Sequence, residues 1–140
     1  MTSNNFFKFS SFIFILIANF IFSFNGALAG IWTETQITGP SNWYATASSN
    51  DGVNLVAAVA GGYIHTSIDS GATWIPQTSA GLRIWRSLTS SADGTKLAAV
   101  VNGGYIYTSS DSGVTWNQQT SAGSRNWISI TSSDDGTRLA

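Results

Sequence analysis

Few residues in this chain are able to do chemistry, and most of those recur at a fixed spacing. There are seven acidic side chains, Glu34, Asp51, Asp69, Asp93, Asp111, Asp134 and Asp135, one histidine, His65, and no cysteine. Two carboxylates flanking a sugar would suit glycoside hydrolysis, and carboxylates with histidine would suit a metal ion. The spacing argues against both. Asp51, Asp93 and Asp135 each precede a glycine at 42-residue intervals, and Asp69 and Asp111 stand 42 apart inside Ser-x-Asp-x-Gly-x-Thr-Trp stretches. Five of the acids therefore read as turn residues, and Glu34 and Asp134 lie far apart in register. His65 takes the place that Tyr107 has one repeat later, so it reads as a strand residue rather than a ligand. No phosphate loop, dinucleotide fingerprint or zinc-ligand spacing is present. The expectation is no catalytic residue, no metal and no cofactor in these 140 residues.

The elements that position these residues come from an internal repeat. The 42 residues from Trp43 and the 42 from Trp85 align without a gap and share 25 identities, and a third copy starts at Trp127. All six tryptophans fall into register, Trp32, Trp74 and Trp116 at one position, Trp43, Trp85 and Trp127 at another. Within the second copy, Trp85–Ser90 alternates apolar and polar residues, as a half-buried strand does. Asp93-Gly94 supplies a turn that tolerates positive φ. The apolar run within Lys96–Val101 suits a strand covered on both faces, and Asn102-Gly103-Gly104 turns the chain into a third strand, Tyr105–Ser109. Asp111-Ser112-Gly113 then leads to a fourth, Thr115–Thr120. Helical i, i+3, i+4 spacing is missing beyond the first thirty residues, and glycine recurs about every ten.

The expected architecture is all-β: four-stranded antiparallel meanders, one per 42-residue repeat, stacked as β-propeller blades, about two and a half of them. Residues 30–42 read as an orphan outer strand and its connection, 43–84 as repeat 1, 85–126 as repeat 2 and 127–140 as a partial repeat 3. Propellers use roughly four to eight blades, so a truncated sequence is the simplest reading, with ring closure by homo-oligomerisation as the alternative. A fragment of residues 30–140 is expected to self-associate through open blade faces.

The N-terminus has a different origin. Lys8, an apolar run from Phe12 to Phe24 and an Ala27-Leu28-Ala29 site form a secretory signal peptide over residues 1–29, with cleavage after Ala29. The mature chain would be exported, to an extracellular, periplasmic or lumenal compartment, with no membrane anchor left. It carries five cationic and seven acidic residues, which excludes the basic field of a nucleic-acid binder. Arg83 and Arg125 occupy one repeat position, two residues before the first-strand tryptophan. Gathered on one propeller face, they are the candidate recognition residues for acidic groups on a partner; Ser41 breaks the pattern in the first copy.

Ser67, Asp69, Gly71, Thr73 and Trp74, and again Ser109, Asp111, Gly113, Thr115 and Trp116, resemble the Asp-box, or bacterial neuraminidase repeat, of sialidases and related propellers. That resemblance implies a turn between the third and fourth strands of each blade, stapled by its own aspartate and lying away from any catalytic face. A sialidase-like glycoside hydrolase would also need an arginine triad, a tyrosine–glutamate nucleophile pair and an acidic proton donor. None can be matched residue by residue here. The repeats are also similar to photosystem II assembly factor propellers. The expectation is an exported, non-catalytic binding or scaffold module for a protein or glycan. A fragment of a sialidase-like hydrolase and an assembly-factor-like propeller are the alternatives.

Overall fold

The computed structural model describes residues 42–140. The expected signal peptide, and the expected orphan strand apart from Asn42 in its connection, lie outside the described residues. The strands are β1 (Trp43–Ser48), β2 (Leu55–Gly62), β3 (Ile64–Ser67), β4 (Ile75–Gln77), β5 (Arg83–Ser90), β6 (Leu97–Gly104), β7 (Ile106–Ser109), β8 (Asn117–Gln119) and β9 (Arg125–Asn126). Strands β1 to β4 pair in chain order as one antiparallel meander. Strands β5 to β8 pair as a second. These two meanders are blades 1 and 2, and the described residues form a curled all-β sheet of partial propeller blades.

Several strand ends differ from the sequence expectation: β6 runs on through Gly104, where a turn was expected, because Asn102 and Gly104 pair with β9, and β7 starts at Ile106. The inner strand of blade 2 begins at Arg83, before Trp85, because the backbone of Gly62 opposite Arg83 offers it a partner. The outer strand shrinks to Asn117–Gln119. Its expected first residue, Thr115, gives its N–H to Asp111 (2.9 Å), and its expected last, Thr120, opens a 3-10 turn through Ala122.

Both inner strands carry a bulge, at Tyr44 between Trp43 and Ala45 and at Arg86 between Trp85 and Ser87. A bulge re-aims the extra residue. Here the two bulged side chains meet across the blades: the Arg86 guanidinium lies 4.7 Å from the centre of the Tyr44 ring and donates to its hydroxyl.

The core lies between the blades. Val56, Ala58 and Ile64 of blade 1 pack against Trp85, Leu88 and Leu97 of blade 2. Trp85 is fully buried, donates its Nε1–H to the Gly62 carbonyl at 3.0 Å and meets Tyr107 edge-on at 5.4 Å. One repeat later Trp127 donates to the Gly104 carbonyl at 3.1 Å. A smaller cluster of Ala98, Val100 and Ile130 begins the next interface.

A ladder of turns joins the repeats along one rim. The Asn50 N–H donates to the Ala92 carbonyl (2.8 Å), and the Ala92 N–H donates to the Asp134 carbonyl (2.7 Å). Asn54 and Lys96 each reach forward one repeat, to the carbonyls of Asp93 (3.1 Å) and Asp135 (2.8 Å). Gly94 sits in this ladder at φ +76°, where a Cβ would lie 2.6 Å from the Asn54 Cβ. Only glycine allows both the backbone angle and that approach.

Candidate functional site

The turns between third and fourth strands hold the Ser-x-Asp-x-Gly-x-Thr-Trp residues. Asp111 Oδ1 accepts from the Ser109 hydroxyl (2.8 Å) and the Thr115 N–H (2.9 Å), and Oδ2 accepts from the Thr115 hydroxyl (2.6 Å). The Ser109 hydroxyl oxygen accepts the Gly113 N–H at 2.9 Å. Asp69 repeats the arrangement with Ser67 and Thr73, at 2.8 Å to the Thr73 N–H and 2.6 Å to its hydroxyl. The Gly71 N–H donates to Ser67 Oγ at 2.8 Å. Trp116 is buried and closes its turn by donating Nε1–H to the Gly113 carbonyl (2.8 Å), whereas Trp74 is partly exposed. Gly113 has φ +91° and would place a Cβ 2.8 Å from Thr66 of the preceding blade.

The Asp-Gly turns contain a second staple that sequence reasoning missed. Ser91 donates to Asp93 at 2.6 Å, the Thr95 N–H donates to the same carboxylate at 2.9 Å, and the Lys96 N–H returns to Ser91 Oγ at 3.0 Å. Ser133, Asp135, Thr137 and Arg138 repeat the pattern, as do Ser49, Asp51, Val53 and Asn54. Its signal was visible as a serine two residues before each Asp-Gly pair.

These bonds fix the charge state of the acids. The Thr73 hydroxyl first, then the Thr73 N–H and Ser67, hold the Asp69 carboxyl below the usual range, and Thr115 and Ser109 do the same at Asp111. Ser49, chiefly, lowers Asp51. Asp93 is lowered to about 2 by Ser91 and Thr95, and Asp135 to about 2 by Ser133 and Thr137, with a smaller contribution from Lys96. A carboxylate so fully engaged as an acceptor is a poor proton donor at neutral pH.

Arg83 and Arg125 are the first residues of β5 and β9 and stand opposite Gly62 and Gly104 of the preceding blades, which puts them at equivalent ends of successive blades. Both lie in a strand start rather than in the connection itself. Arg83 is partly buried; its Nε donates to the Ala80 carbonyl (3.0 Å) and its guanidinium lies 4.4 Å from the centre of the Tyr107 ring. Arg125 is exposed, with its guanidinium 5.9 Å from the Trp127 ring. Sequence reasoning overlooked Arg86, because nothing in the local pattern marks which inner-strand residue a bulge will turn outward.

His65 is partly buried and meets Trp43 edge-on at 5.3 Å, as Tyr107 meets Trp85. Burial pushes its pKa down, and its Nδ1 is buried without a hydrogen-bond partner. Tyr107 differs in donating its hydroxyl to Gln118 (2.8 Å); the equivalent of Gln118 in blade 1 is Pro76.

The fold thus belongs to the class of β-propellers, represented here by successive blades. No protein-family model and no curated protein matches the sequence. Solved structures similar to it are propellers. YCF48 from Cyanidioschyzon merolae shares 12% identity at a TM-score of 0.55, over 74% of this chain and 38% of its own. YCF48 bound to D1 peptide shares 15% at 0.54, over 66% of this chain and 31% of its own. The GH74 enzyme of Niastella koreensis shares 24% at 0.50, over 64% of this chain and 13% of its own. The chain therefore spans well under half the length of these structures, and at such identities the likeness concerns the fold.

Proposed function

We propose that this chain is a non-catalytic binding or scaffold module whose blades present arginines to acidic groups on a protein partner. The observation that carries the reading is the repeated placement of Arg83 and Arg125 at equivalent blade ends, each guanidinium against an aromatic ring of its own or the adjoining repeat. A cation held over a ring keeps donors free for a carboxylate while losing little side-chain freedom on binding. The five repeat aspartates support the same reading, because each is occupied by hydroxyl and N–H donors of its own turn. The YCF48 structure with D1 peptide is a propeller holding a peptide, which makes a protein partner the first choice over a glycan.

Calorimetric titration of the chain with a glutamate-rich peptide tests this. Binding should weaken steeply with added salt and be lost in Arg125→Ala, whose side chain is exposed and whose removal leaves the blade core untouched. Salt-independent binding, or full binding by Arg125→Ala, would refute it. The similarity to a GH74 enzyme favours a hydrolase fragment as second reading. Turnover of a fluorogenic sialoside would establish the sialidase-like form of that reading. For the assembly-factor-like form of the scaffold, lumenal location in a photosynthetic cell is the discriminating observation.

A further inference from the structure

Among the described residues, Asp51, Asp93, Asp135 and Asn102 each carry a side-chain carbonyl directly before a glycine. The glycine nitrogen can attack such a carbonyl and close a small ring, since no side chain shields it. In the three Asp-Gly pairs the structure ties up both partners of that reaction. The N–H groups of Gly52, Gly94 and Gly136 donate to the carbonyls of Ser49 (3.0 Å), Ser91 (3.0 Å) and Ser133 (2.8 Å). The same serines donate their hydroxyls to the carboxylates, at 2.5, 2.6 and 2.6 Å. These donors hold the three carboxyls below their usual range, and an ionised carboxylate resists a nucleophile.

Asn102-Gly103 has neither protection. In the β6–β9 pairing Asn102 stands opposite Asn126 and Gly104 opposite Arg125, and Gly103 between them is a bulged residue with no partner across the strands. It has φ +68° and open surroundings: a Cβ built there would meet only Asn126 Oδ1, at 3.7 Å. Asn102 is exposed, and its amide makes no hydrogen bond among the described residues. The amide is also neutral, so no charge shields its carbon, and asparagine is among the thermolabile residues. Blade 1 has Ala60-Gly61-Gly62 in the equivalent bulged turn, which leaves the labile pair to blade 2.

We propose that Asn102 is a self-modification site, at which the Gly103 nitrogen attacks the Asn102 side-chain carbonyl and the amide ends as an acid. A bond forms from Gly103 N to Asn102 Cγ. The Cγ–Nδ2 bond breaks, and Nδ2 leaves as ammonia with the proton that Gly103 gives up. Water then opens the succinimide. Breaking the bond from Gly103 N to Cγ yields aspartate, and breaking its bond to the main-chain carbonyl carbon yields isoaspartate. Either product sets a negative charge on the strand end that pairs with Arg125. Isoaspartate also lengthens the backbone of β6 where it meets β9. The new acid competes with a partner's acidic groups for the Arg125 guanidinium, so binding declines as the chain ages. That consequence rests on the arginine reading, whereas the chemistry stands without it.

Peptide mapping by mass spectrometry tests the chemistry, on the folded chain held at mildly alkaline pH in oxygen-18 water. Asn102 should convert to aspartate and isoaspartate, each with one heavy oxygen, well ahead of Asn50, Asn54, Asn117 and Asn126. Isoaspartate should be absent at Asp51, Asp93 and Asp135 in the folded chain and should appear there in urea. An Asn102 that keeps its amide when folded but loses it in urea would overturn the proposal. So would isoaspartate at Asp93 in the folded chain as early as at Asn102. The effect on binding is read separately, with the glutamate-rich peptide. The aged wild-type chain and fresh Asn102→Asp should bind it several-fold more weakly than fresh wild type. Aged Asn102→Ala, which has the blade 1 residue, should bind as before. Undiminished binding by Asn102→Asp, alongside loss in Arg125→Ala, would overturn the coupling alone; undiminished binding by both would sink the arginine reading instead.

Discussion

Substituting Trp85 and Trp43 in parallel measures what one blade contributes to the next. Both begin the inner strand of a repeat, yet Trp85 is fully buried and bonded to Gly62 while Trp43 is 38% exposed. Trp85→Ala removes the largest side chain of the interface and should cost about 3–5 kcal/mol. Against a total of roughly 5–15 kcal/mol expected for a domain, that is a large share of the whole. Trp85→Phe is the more informative change. It retains most of the apolar contact, including the edge-on meeting with Tyr107, but leaves the Gly62 carbonyl without its donor. An unsatisfied buried acceptor costs about 1–3 kcal/mol. With a urea slope of about 1–3 kcal/mol/M for a small protein, its midpoint should fall by about 1 M. Trp43→Ala should cost about 1–2 kcal/mol, because only part of the ring leaves an apolar environment. Far-UV circular dichroism across a urea titration is the assay, since it does not depend on the tryptophans removed. If Trp43→Ala moved the midpoint as far as Trp85→Ala under those conditions, the reasoning that blade stacking holds this fold would be refuted.

Four further outcomes follow from the turns and the lone histidine. Asp93 and Asp135 titrate at about 2 in the folded chain against 3.8 in a free carboxyl, so their contribution is complete above pH 3.8 and is lost as pH falls toward 2. His65 is lowered from 6.5 by burial, so the unfolded chain protonates first and stability should also decline as pH falls below 6.5; His65→Phe should abolish that upper decline in melting curves. Asp111→Ala should lower the melting temperature more than Asp111→Asn, which keeps one acceptor oxygen for Thr115 and Ser109. Gly94→Ala and Gly52→Ala should differ: both sit at positive φ, costing about 1–2 kcal/mol, but only at Gly94 would the Cβ collide with the preceding repeat. Equal melting temperatures for the two alanine variants would show that the repeats do not approach as closely as 2.6 Å there.

Much of the blade was legible in the residues. The apolar run from Leu97 and the glycine-bearing turns are signals that act within a few residues, and strands form beside them; in the inner strand Trp85 and Leu88 stand three residues apart, and the bulge at Arg86 lets both reach the core. The aspartate-centred turns were equally open to reading, since donor and acceptor lie within about five residues of each other. The candidate recognition residues were legible in position only. Nothing local to Arg83 shows that its guanidinium will rest on Tyr107 in the third strand of its own blade. Arg86 was invisible as a contact residue, because its partner Tyr44 lies a full repeat away and the bulge that aims it depends on pairing with β6.

The sequence by itself determined the repeat, the strand order within a blade, and the role of Asp51, Asp69, Asp93, Asp111 and Asp135 as turn anchors rather than a store of catalytic acids. These are consequences of periodicity and short-range hydrogen bonding. Only the tertiary structure decided how the repeats meet: the Asn50–Ala92–Asp134 ladder, the burial of Trp85 against blade 1, and the meeting of Arg86 with Tyr44. Those depend on the angle and distance at which one sheet packs on the next. Two nearly identical repeats carry nearly identical side chains, so burial at each equivalent position is set by what stands opposite it.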